Sequence, residues 1–309
     1  MLEITGLRKA YGGHEVLKGV DLSVGPGQVL GLLGSNGAGK TTLISITAGL
    51  RSADSGKVFI GEVDALRDRR RAARLIGLAP QELGIYPTLT VRANLGYFAR
   101  LAGLRGRAAA IRAEEAAGAL GLEDRMDETA QRLSGGQKRR LHTAMAILHR
   151  PDVLFLDEPT VGADVRSRAE ILAIVREMAA QGTAVLYTTH YLTELEDLEA
   201  DIAVLHEGRI RANAPLEQVL REHAAARVVL VFDGAPPELA GWRVEGDTLV
   251  SAHTIEDTAA ATADAIGSLD GRGGRLTGVE IRRPNLEAAF LSITGTELDV
   301  EEESRDLVS

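Results

Sequence analysis

Residues 34–41 read G-S-N-G-A-G-K-T and have the types and spacing of a phosphate-binding loop, G-x-x-x-x-G-K-[ST]. Glycines in this pattern let backbone N–H groups point at an anion, and the N-terminus of the following helix favours negative charge. Lys40 would reach the β- and γ-phosphates of a nucleotide, and the hydroxyl of Thr41 would coordinate Mg²⁺. The alternative is a glycine turn that only joins a strand to a helix. The predicted phosphate-binding residues are Gly34, Ser35, Asn36, Gly37, Ala38, Gly39, Lys40, Thr41 and Thr42.

Two carboxylates, Asp157 and Glu158, follow the apolar run VLFL of residues 153–156. Open α/β sheets bind ligands at the carboxyl ends of their strands, so we expect this pair at the same edge as the phosphate-binding loop. Asp157 would hold Mg²⁺ through water, and Glu158 would orient or deprotonate an attacking water. Acidic residues also cap many strand ends, and that alternative stays open for the pair taken by itself.

A second glycine-containing segment, L-S-G-G-Q at residues 133–137, precedes a helix predicted over residues 138–148. Ser134 has the position of an N-cap, and Gly135 and Gly136 allow another backbone to approach closely. The segment, with Gln137 as its last residue, is predicted to present a second helix N-terminus to phosphate. A helix cap without any ligand is the alternative.

The elements around these segments are typical of an α/β fold, in which strands and helices alternate. Strands are predicted within residues 2–33 and at 153–156, 183–188 and 202–212. Helices are predicted at 40–49, 91–101, 108–120, 138–148 and 166–180. Because the run 28–34 is apolar at successive positions, it suits a strand covered on both faces in a parallel sheet. One domain is predicted over residues 1–221, with a helical subdomain at about 92–150.

The chain changes character beyond residue 221, where a β-β-α-β-α pattern predicts a small α+β domain over residues 222–298. The run 242–252 is counted in this pattern as one strand, and the first helix is predicted to begin at about Ile255. Residues 299–309 are acidic and are predicted to be disordered.

The composition excludes several classes of protein. Of 309 residues, 45% are hydrophobic and 26% charged, which suits a globular protein with a sizeable core. The formal net charge of −9 argues against a strongly basic surface, so no nucleic-acid partner is predicted. The absence of cysteine excludes disulfides, thiolate zinc sites and cysteine nucleophiles, and it fits a reducing cytoplasm. No apolar run approaches the ~20 residues of a membrane span, so a partner is expected to provide any link to a membrane.

The three motifs, in this order and spacing, resemble the nucleotide-binding domain of ABC transporters, because L-S-G-G-Q separates that family from other P-loop NTPases. The likeness is strong over residues 1–220. It implies a P-loop NTPase fold of the ABC type, ATP and Mg²⁺ as cofactors, and ATP hydrolysis. In the family's terms, residues 34–41 are the P-loop and residues 133–137 the signature motif.

Single positions then correspond to functional residues of the family. Tyr11 stands where an aromatic ring stacks on adenine, although a tyrosine in a turn is the alternative. Gln81 stands at the Q-loop glutamine that senses Mg²⁺ and the γ-phosphate, with a solvated loop amide as its alternative. Residues 161–164 form the D-loop, which retains Asp164 but has Ala163 in place of the commoner leucine. His190 corresponds to the switch histidine, which contacts the γ-phosphate.

The resemblance therefore implies a complete set of site residues. The catalytic residues would be Glu158, His190, Lys40 and Gln81. The Mg²⁺ residues would be Thr41, Gln81 and Asp157. The nucleotide would be bound by the nine residues of the phosphate-binding loop and by Tyr11, Ser134, Gly135, Gly136, Gln137 and Asp164.

The family geometry also implies partners, because each bound ATP is covered by the signature motif of a second nucleotide-binding domain. With one copy of each motif, a homodimer is expected. Residues 283–295 resemble the P-x-L-E-x-x-F-L…TG ending of ATPases that serve ABC-2 type exporters of the daunorubicin/doxorubicin kind. This implies export through a separate integral-membrane permease, with the chain at the inner face of the cell membrane. An importer ATPase or a non-transport ABC ATPase is the alternative.

Two further groups of residues have simpler interpretations. The basic cluster within residues 67–74 is predicted to be a solvated helix face, with contact to anionic lipid or to a permease loop as the alternative. His142 and His149 lie seven residues apart on one predicted helix. They lack a carboxylate partner at a matching spacing, so a metal site is not expected there.

Overall fold

The computed structural model describes residues 1–224, 226–251, 258–269, 274–282 and 284–296. The chain divides into two compact units, Met1–Leu216 and Glu217–Leu298. The division falls at the start of helix α8 (Leu216–His223), whereas the sequence predicts a boundary nearer its end. Across the described ranges, no helix has both the length and the apolar character needed to cross a membrane.

The first unit begins with a four-stranded antiparallel sheet in the order β2-β1-β4-β5. Its strands are β1 (Leu2–Tyr11), β2 (His14–Val24), β4 (Ser55–Ile60) and β5 (Val63–Asp64). Gly12 and Gly13 connect β1 to β2 with φ of 56° and 85°, a left-handed conformation that glycine adopts without steric cost. Tyr11 pairs with His14 at the end of this hairpin.

A six-stranded sheet in the order β10-β9-β3-β8-β7-β6 forms the centre of the unit. Its strands are β3 (Val29–Leu33), β6 (Ile76–Ala79), β7 (Val153–Asp157), β8 (Ala184–Thr188), β9 (Asp201–His206) and β10 (Arg209–Ala214). All neighbours are parallel except the edge pair β9 and β10. The buried apolar strand β3 confirms the prediction of a strand covered on both faces. The loops after β3, β8, β7 and β6 therefore open at one edge of the sheet.

Helices occupy the connections of this sheet, and they include the helices predicted within residues 40–49, 91–101, 108–120, 138–148 and 166–180. They are α1 (Lys40–Thr47), α2 (Arg69–Ala72), α3 (Val91–Leu101), α4 (Gly106–Ala119), α5 (Gly135–Ile147), α6 (Val165–Ala180) and α7 (Leu192–Asp197). The connection from β6 to β7 contains α3, α4 and α5. A single apolar cluster, with members such as Leu7, Leu32, Leu43 and Phe155, joins the two sheets and α1. This core fixes the position of α1 and of the loop before it.

The second unit contains β11 (Arg227–Asp233), β12 (Trp242–Glu245), β13 (Thr248–Ser251), α9 (Thr258–Ser268), β14 (Arg275–Arg282) and α10 (Leu286–Thr294). Its antiparallel sheet has the order β12-β13-β11-β14. The prediction of one strand over 242–252 is wrong, because β12 and β13 are the two arms of a hairpin. Gly246, with φ of 63°, permits the turn between them. The expected helix start at Ile255 and the expected disorder of residues 299–309 lie outside the described residues.

Candidate active site

The P-loop lies between the end of β3 and the start of α1, and close packing requires its glycines. A Cβ on Gly34 would lie 2.6 Å from the carbonyl oxygen of Leu205. Gly39 caps α1 with φ of 110°, and a Cβ there would lie 2.9 Å from Cδ2 of Leu17. Ala38 is buried between these two glycines. The loop therefore presents backbone and not side chains at the N-terminus of α1, which suits an anion.

Lys40 points back into this loop. Its Nζ donates to the carbonyl oxygen of Gly34 at 2.5 Å and to that of Ser35 at 3.4 Å, and the residue is only 8% exposed. Asn36 and Gly37, at the tip of the loop, are exposed to solvent. The positive charge is thus held at the helix N-terminus, where phosphate would add negative charge.

Asp157, at the end of β7, lies beside Thr41 of α1. Thr41 Oγ1 donates to Asp157 Oδ2 at 3.3 Å, and Thr188 Oγ1 donates to Oδ1 at 2.6 Å. Thr42 is half-buried in the same turn of α1. Burial is the main cause that raises the pKa of Asp157, which is 3% exposed. A buried carboxylate next to a hydroxyl supplies the oxygen ligands that Mg²⁺ prefers, so these residues fit this ion.

Glu158 lies at the centre of the site, with a partner on each carboxylate oxygen. Oε1 is 2.6 Å from Nε2 of His190, and Oε2 accepts from Nε2 of Gln81 at 2.6 Å. The hydrogen bond from His190 is the main cause that lowers the pKa of Glu158, against the effect of burial. The backbone of Glu158 has φ of 51°, a conformation that costs about 1–3 kcal/mol outside glycine. Its N–H compensates by donating to the carbonyl oxygen and to Oγ1 of Thr188, each at 3.1 Å.

These contacts bring together six residues that the sequence places far apart. Lys40 and Thr41 follow β3, Asp157 and Glu158 end β7, His190 follows β8 and Gln81 follows β6. The order β3-β8-β7-β6 makes their loops neighbours at the carboxyl edge of the sheet. The arrangement can hold a divalent cation on one carboxylate and accept a proton on the other.

The signature motif begins α5 with a reciprocal cap. Ser134 Oγ accepts from the N–H of Gln137 at 3.2 Å, and Gln137 Oε1 accepts from the N–H of Ser134 at 2.9 Å. The predicted cap is therefore confirmed, and it includes the side chain of Gln137. Gly135 and Ser134 are exposed, so the helix N-terminus is open to a ligand.

The signature motif contacts the D-loop of the same chain. A Cβ on Gly136 would meet the side chain of Ser167 and would lie 2.7 Å from Oδ2 of Asp164. Asp164 caps α6, since its Oδ1 accepts from the N–H of Ser167 at 2.7 Å. That hydrogen bond is the main cause that lowers the pKa of Asp164. Ala163, which replaces the commoner leucine, is half-buried.

Tyr11 is 38% exposed at the tip of the β1–β2 hairpin. The ammonium of Lys9 lies 5.2 Å from its ring centroid and the guanidinium carbon of Arg51 lies 5.7 Å from it. Arg51 also donates to the Tyr11 hydroxyl at 3.3 Å. One surface residue thus has both an accessible ring and two cations beside it, which is compatible with stacking on a nucleotide base.

Sequence reasoning missed three residues that organise the site. Thr188 contacts both Asp157 and Glu158, and Arg139 donates to the carbonyl oxygen of Gln81 at 2.6 Å. Buried Glu194 accepts from Thr189 at 2.7 Å, directly beside His190. Only Arg139 carried a sequence signal, as a basic residue just after the signature motif.

The remaining candidates have structural partners. Nε2 of His142 accepts from the N–H of Gly84 at 3.2 Å, and Nε2 of His149 lies 3.0 Å from the carbonyl oxygen of Ile76. Burial lowers the pKa of His142 to about 4. Within the described residues, no group of three or more His, Cys, Asp or Glu side chains could hold a metal ion. The arginines of the basic cluster 67–74 are exposed on and around α2, as expected for a solvated face.

A P-loop between strand and helix, with a carboxylate pair and a histidine at the same sheet edge, defines a P-loop ATPase that uses MgATP. A family model described as "ABC transporter" matches residues 17–161. This chain belongs to the ATP-binding proteins of ABC transporters.

The chain resembles members of this family over nearly its whole length. It is 33% identical to the linearmycin resistance ATP-binding protein of Bacillus subtilis (strain 168), covering 96% of this chain and 99% of that one. It is 39% identical to a daunorubicin resistance ATP-binding protein of Streptomyces coeruleorubidus, covering 94% and 93%. Identity to the Nod factor export ATP-binding protein I of Rhizobium sp. (strain N33) is 35%, covering 96% and 98%.

The fold resembles a solved dimeric bacterial ABC transporter cassette. The TM-score is 0.64 at 25% identity, and the match covers 70% of this chain and 99% of the cassette. The predicted fold class is therefore confirmed.

Proposed function

We propose that this chain is the ATP-hydrolysing subunit of an exporter and powers transport through a separate membrane permease of the ABC-2 type. The proposal of ATP hydrolysis rests on one observation: His190 and Gln81 both contact the carboxylate of Glu158. Asp157, the neighbouring buried carboxylate, is placed to bind a cation. The export part is supported by relatives whose names include resistance and export, together with the likeness of residues 283–295 to ABC-2 ATPases.

In the proposed site, the residues divide the work of catalysis and of binding MgATP. Glu158 accepts a proton from the attacking water. The hydrogen bond from His190 lowers the pKa of Glu158 and so favours the carboxylate form that this role needs. His190 and Gln81 hold the Glu158 carboxylate in place and face the γ-phosphate, while Lys40 stabilises charge on the phosphates. Thr41, Asp157 and Gln81 would hold Mg²⁺, which supplies charge neutralisation at the phosphates.

We propose that a second copy of this chain completes the nucleotide-binding site. Gly135 and Ser134 form an exposed helix N-terminus that would cover the ATP bound to the partner's P-loop. Tyr11 would stack on adenine, and Asp164 would lie near the same interface. The likeness to a dimeric cassette supports this arrangement. ATP then favours the closed dimer, and its hydrolysis removes that preference.

The surface proposed to contact the permease lies just beyond the Q-loop. The rings of Tyr86 and Tyr97 meet edge to face at 5.1 Å, and both remain partly exposed. The side-chain amide of buried Asn94 holds the backbone of Tyr86 in place through bonds of 2.8 and 3.0 Å. A rigid, exposed aromatic pair suits a permease loop. This docking would keep the chain at the inner face of the cell membrane.

The test is purification of the tagged chain from detergent-solubilised membranes of its own host, followed by ATPase assays. We expect an integral-membrane protein to co-purify and to stimulate ATP turnover. After reconstitution, the complex should move substrate against a gradient only when MgATP is on the side of this chain. Co-purification with ribosomes or DNA, or a lack of MgATP cleavage in every preparation, would contradict the proposal.

A further inference from the structure

The helix that begins with the signature motif also holds the Q-loop, which is the segment after β6 that contains Gln81 and Gly84. Arg139 and His142 are three residues apart on α5 and therefore lie on one face of it. Nη1 of Arg139 donates to the carbonyl oxygen of Gln81 at 2.6 Å, and Nε2 of His142 accepts from the N–H of Gly84 at 3.2 Å. We call these two side chains the α5 clamp.

The clamp also reaches the D-loop. Nε of Arg139 donates to the carbonyl oxygen of Val161 at 3.0 Å. A single guanidinium thus joins α5 to the backbones of the Q-loop and the D-loop. Burial is the main cause that lowers the pKa of Arg139, and the negative charge of Glu158 opposes that shift. Arg139 therefore lies close enough to Glu158 for their charges to interact.

These contacts need the residue types that are present. The guanidinium of Arg139 has several N–H donors in a fixed plane, so it can serve two carbonyl oxygens, whereas a lysine ammonium is a single point charge. His142 is buried and its pKa is lowered to about 4, so at neutral pH its Nε2 can accept the N–H of Gly84. Both contacts involve backbone atoms, so they position the loop whatever side chains it carries.

We propose that Arg139 and His142 are positioning residues that make the Q-loop and the signature helix move as one body. This inference rests on the proposed function. When nucleotide shifts Gln81 relative to Glu158, the clamp transmits the shift to α5 and so to Ser134 at its N-terminus. The reverse also holds, because coupling between two sites is reciprocal. The chain would then close on a partner's nucleotide only when its own Q-loop is correctly placed.

The first experiment compares Arg139→Lys and Arg139→Gln with Lys138→Gln in the full-length chain. Lys138 is the matched control, because its side chain makes no hydrogen bond or ion pair with the described residues. We expect both Arg139 variants to lose about tenfold or more in kcat, as when a hydrogen bond to a charged group is lost, while Kd for MgATP changes less than about twofold. Lys138→Gln should match the wild type.

The second experiment measures amide hydrogen exchange of the wild type and Arg139→Lys, with and without MgATP. In the wild type, residues 82–86 and the first turns of α5 should change exchange rate together. In Arg139→Lys, residues 82–86 should still respond while the response of α5 is lost. The His142→Leu change should add little to Arg139→Lys in kcat, since both residues hold the same loop.

Two outcomes would overturn the proposal that the α5 clamp couples the Q-loop to the signature helix. One is independent exchange of the two segments in the wild type, which requires no variant to fold. The other is wild-type kcat and a preserved joint response in Arg139→Lys. Failure of the wild type to bind or cleave MgATP would instead contradict the proposed function, so the two failures can be told apart.

Discussion

At the scale of residues, two neighbouring carboxylates have pKa values shifted in opposite directions. Burial raises the pKa of Asp157, whereas the hydrogen bond from His190 lowers that of Glu158. Ionisation of Asp157 therefore costs free energy until a cation is bound. The ionised form of Glu158 is favoured, and it can accept a proton. Environments that separate two pKa values in this way are typical of divided catalytic roles.

The Glu158→Gln change removes the proposed base and keeps the size of the side chain. We expect kcat for ATP hydrolysis to fall on the order of 10² to 10⁴-fold, the usual contribution of a positioned base, with Kd for MgATP nearly unchanged. Steady-state ATPase assays and nucleotide titrations measure both quantities. The exposed Glu62→Gln serves as the control, and turnover at the wild-type rate in Glu158→Gln would refute the assignment.

The Asp157→Asn change tests the cost of the buried charge. A raised folded-state pKa means that ionisation of Asp157 destabilises the folded protein, with no penalty below its unfolded pKa and the full penalty above its folded pKa. Without nucleotide at pH 7, Asp157→Asn should therefore be more stable than the wild type in urea unfolding. The advantage should disappear as the pH falls through the raised pKa, and Mg²⁺-dependent ATP binding should be weakened. If Asp157→Asn were no more stable than the wild type at pH 7, the proposed cost of the buried charge would be contradicted.

At the scale of elements, the N-termini of α5 and α6 meet so closely that only glycine fits at position 136. Its missing Cβ leaves room for Ser167 and Asp164. The glycine beside it is less constrained, because a Cβ on Gly135 would lie 3.4 Å from the carbonyl oxygen of Gly162. The two glycines of the signature motif therefore have different structural roles.

This difference gives a matched pair of variants. Gly136→Ala should lower the free energy of unfolding by about 1–3 kcal/mol, the usual cost of overpacking. Gly135→Ala should leave it unchanged or slightly higher, because alanine favours helix over glycine. Chemical denaturation measures both. Equal effects of the two substitutions would show that the approach of the two helices is not tight.

At the scale of the whole molecule, one P-loop and one signature motif per chain predict an ATP-dependent homodimer. Glu158→Gln should accumulate this dimer with MgATP, because nucleotide is bound but not cleaved. Sedimentation should show a monomer with MgADP and a dimer with MgATP. Lys40→Ala, which weakens phosphate binding, is the control and should stay monomeric with either nucleotide. A monomer of Glu158→Gln at saturating MgATP would exclude the homodimer.

Much of the fold follows from local patterns. The start of α1 at Lys40, the cap at Ser134 and the strand before Asp157 were all predicted, because each depends on residues a few positions apart. The hairpin at Gly246 was missed, since a short polar turn inside an apolar alternation resembles one continuous strand. The positive φ of Glu158 had no sequence signal at all.

The sequence alone determined the chemistry of this protein, because the P-loop, the carboxylate pair and the signature motif are contiguous and carry their ligand preference in backbone shape and residue type. The tertiary structure decided how that chemistry is held. Gln81 and Glu158 are 77 residues apart and meet only because β6 and β7 are neighbours in the sheet. Likewise, Arg139 spans the Q-loop and the D-loop only because α5 packs between them. Contacts between distant segments depend on strand order and core packing, which no local pattern contains.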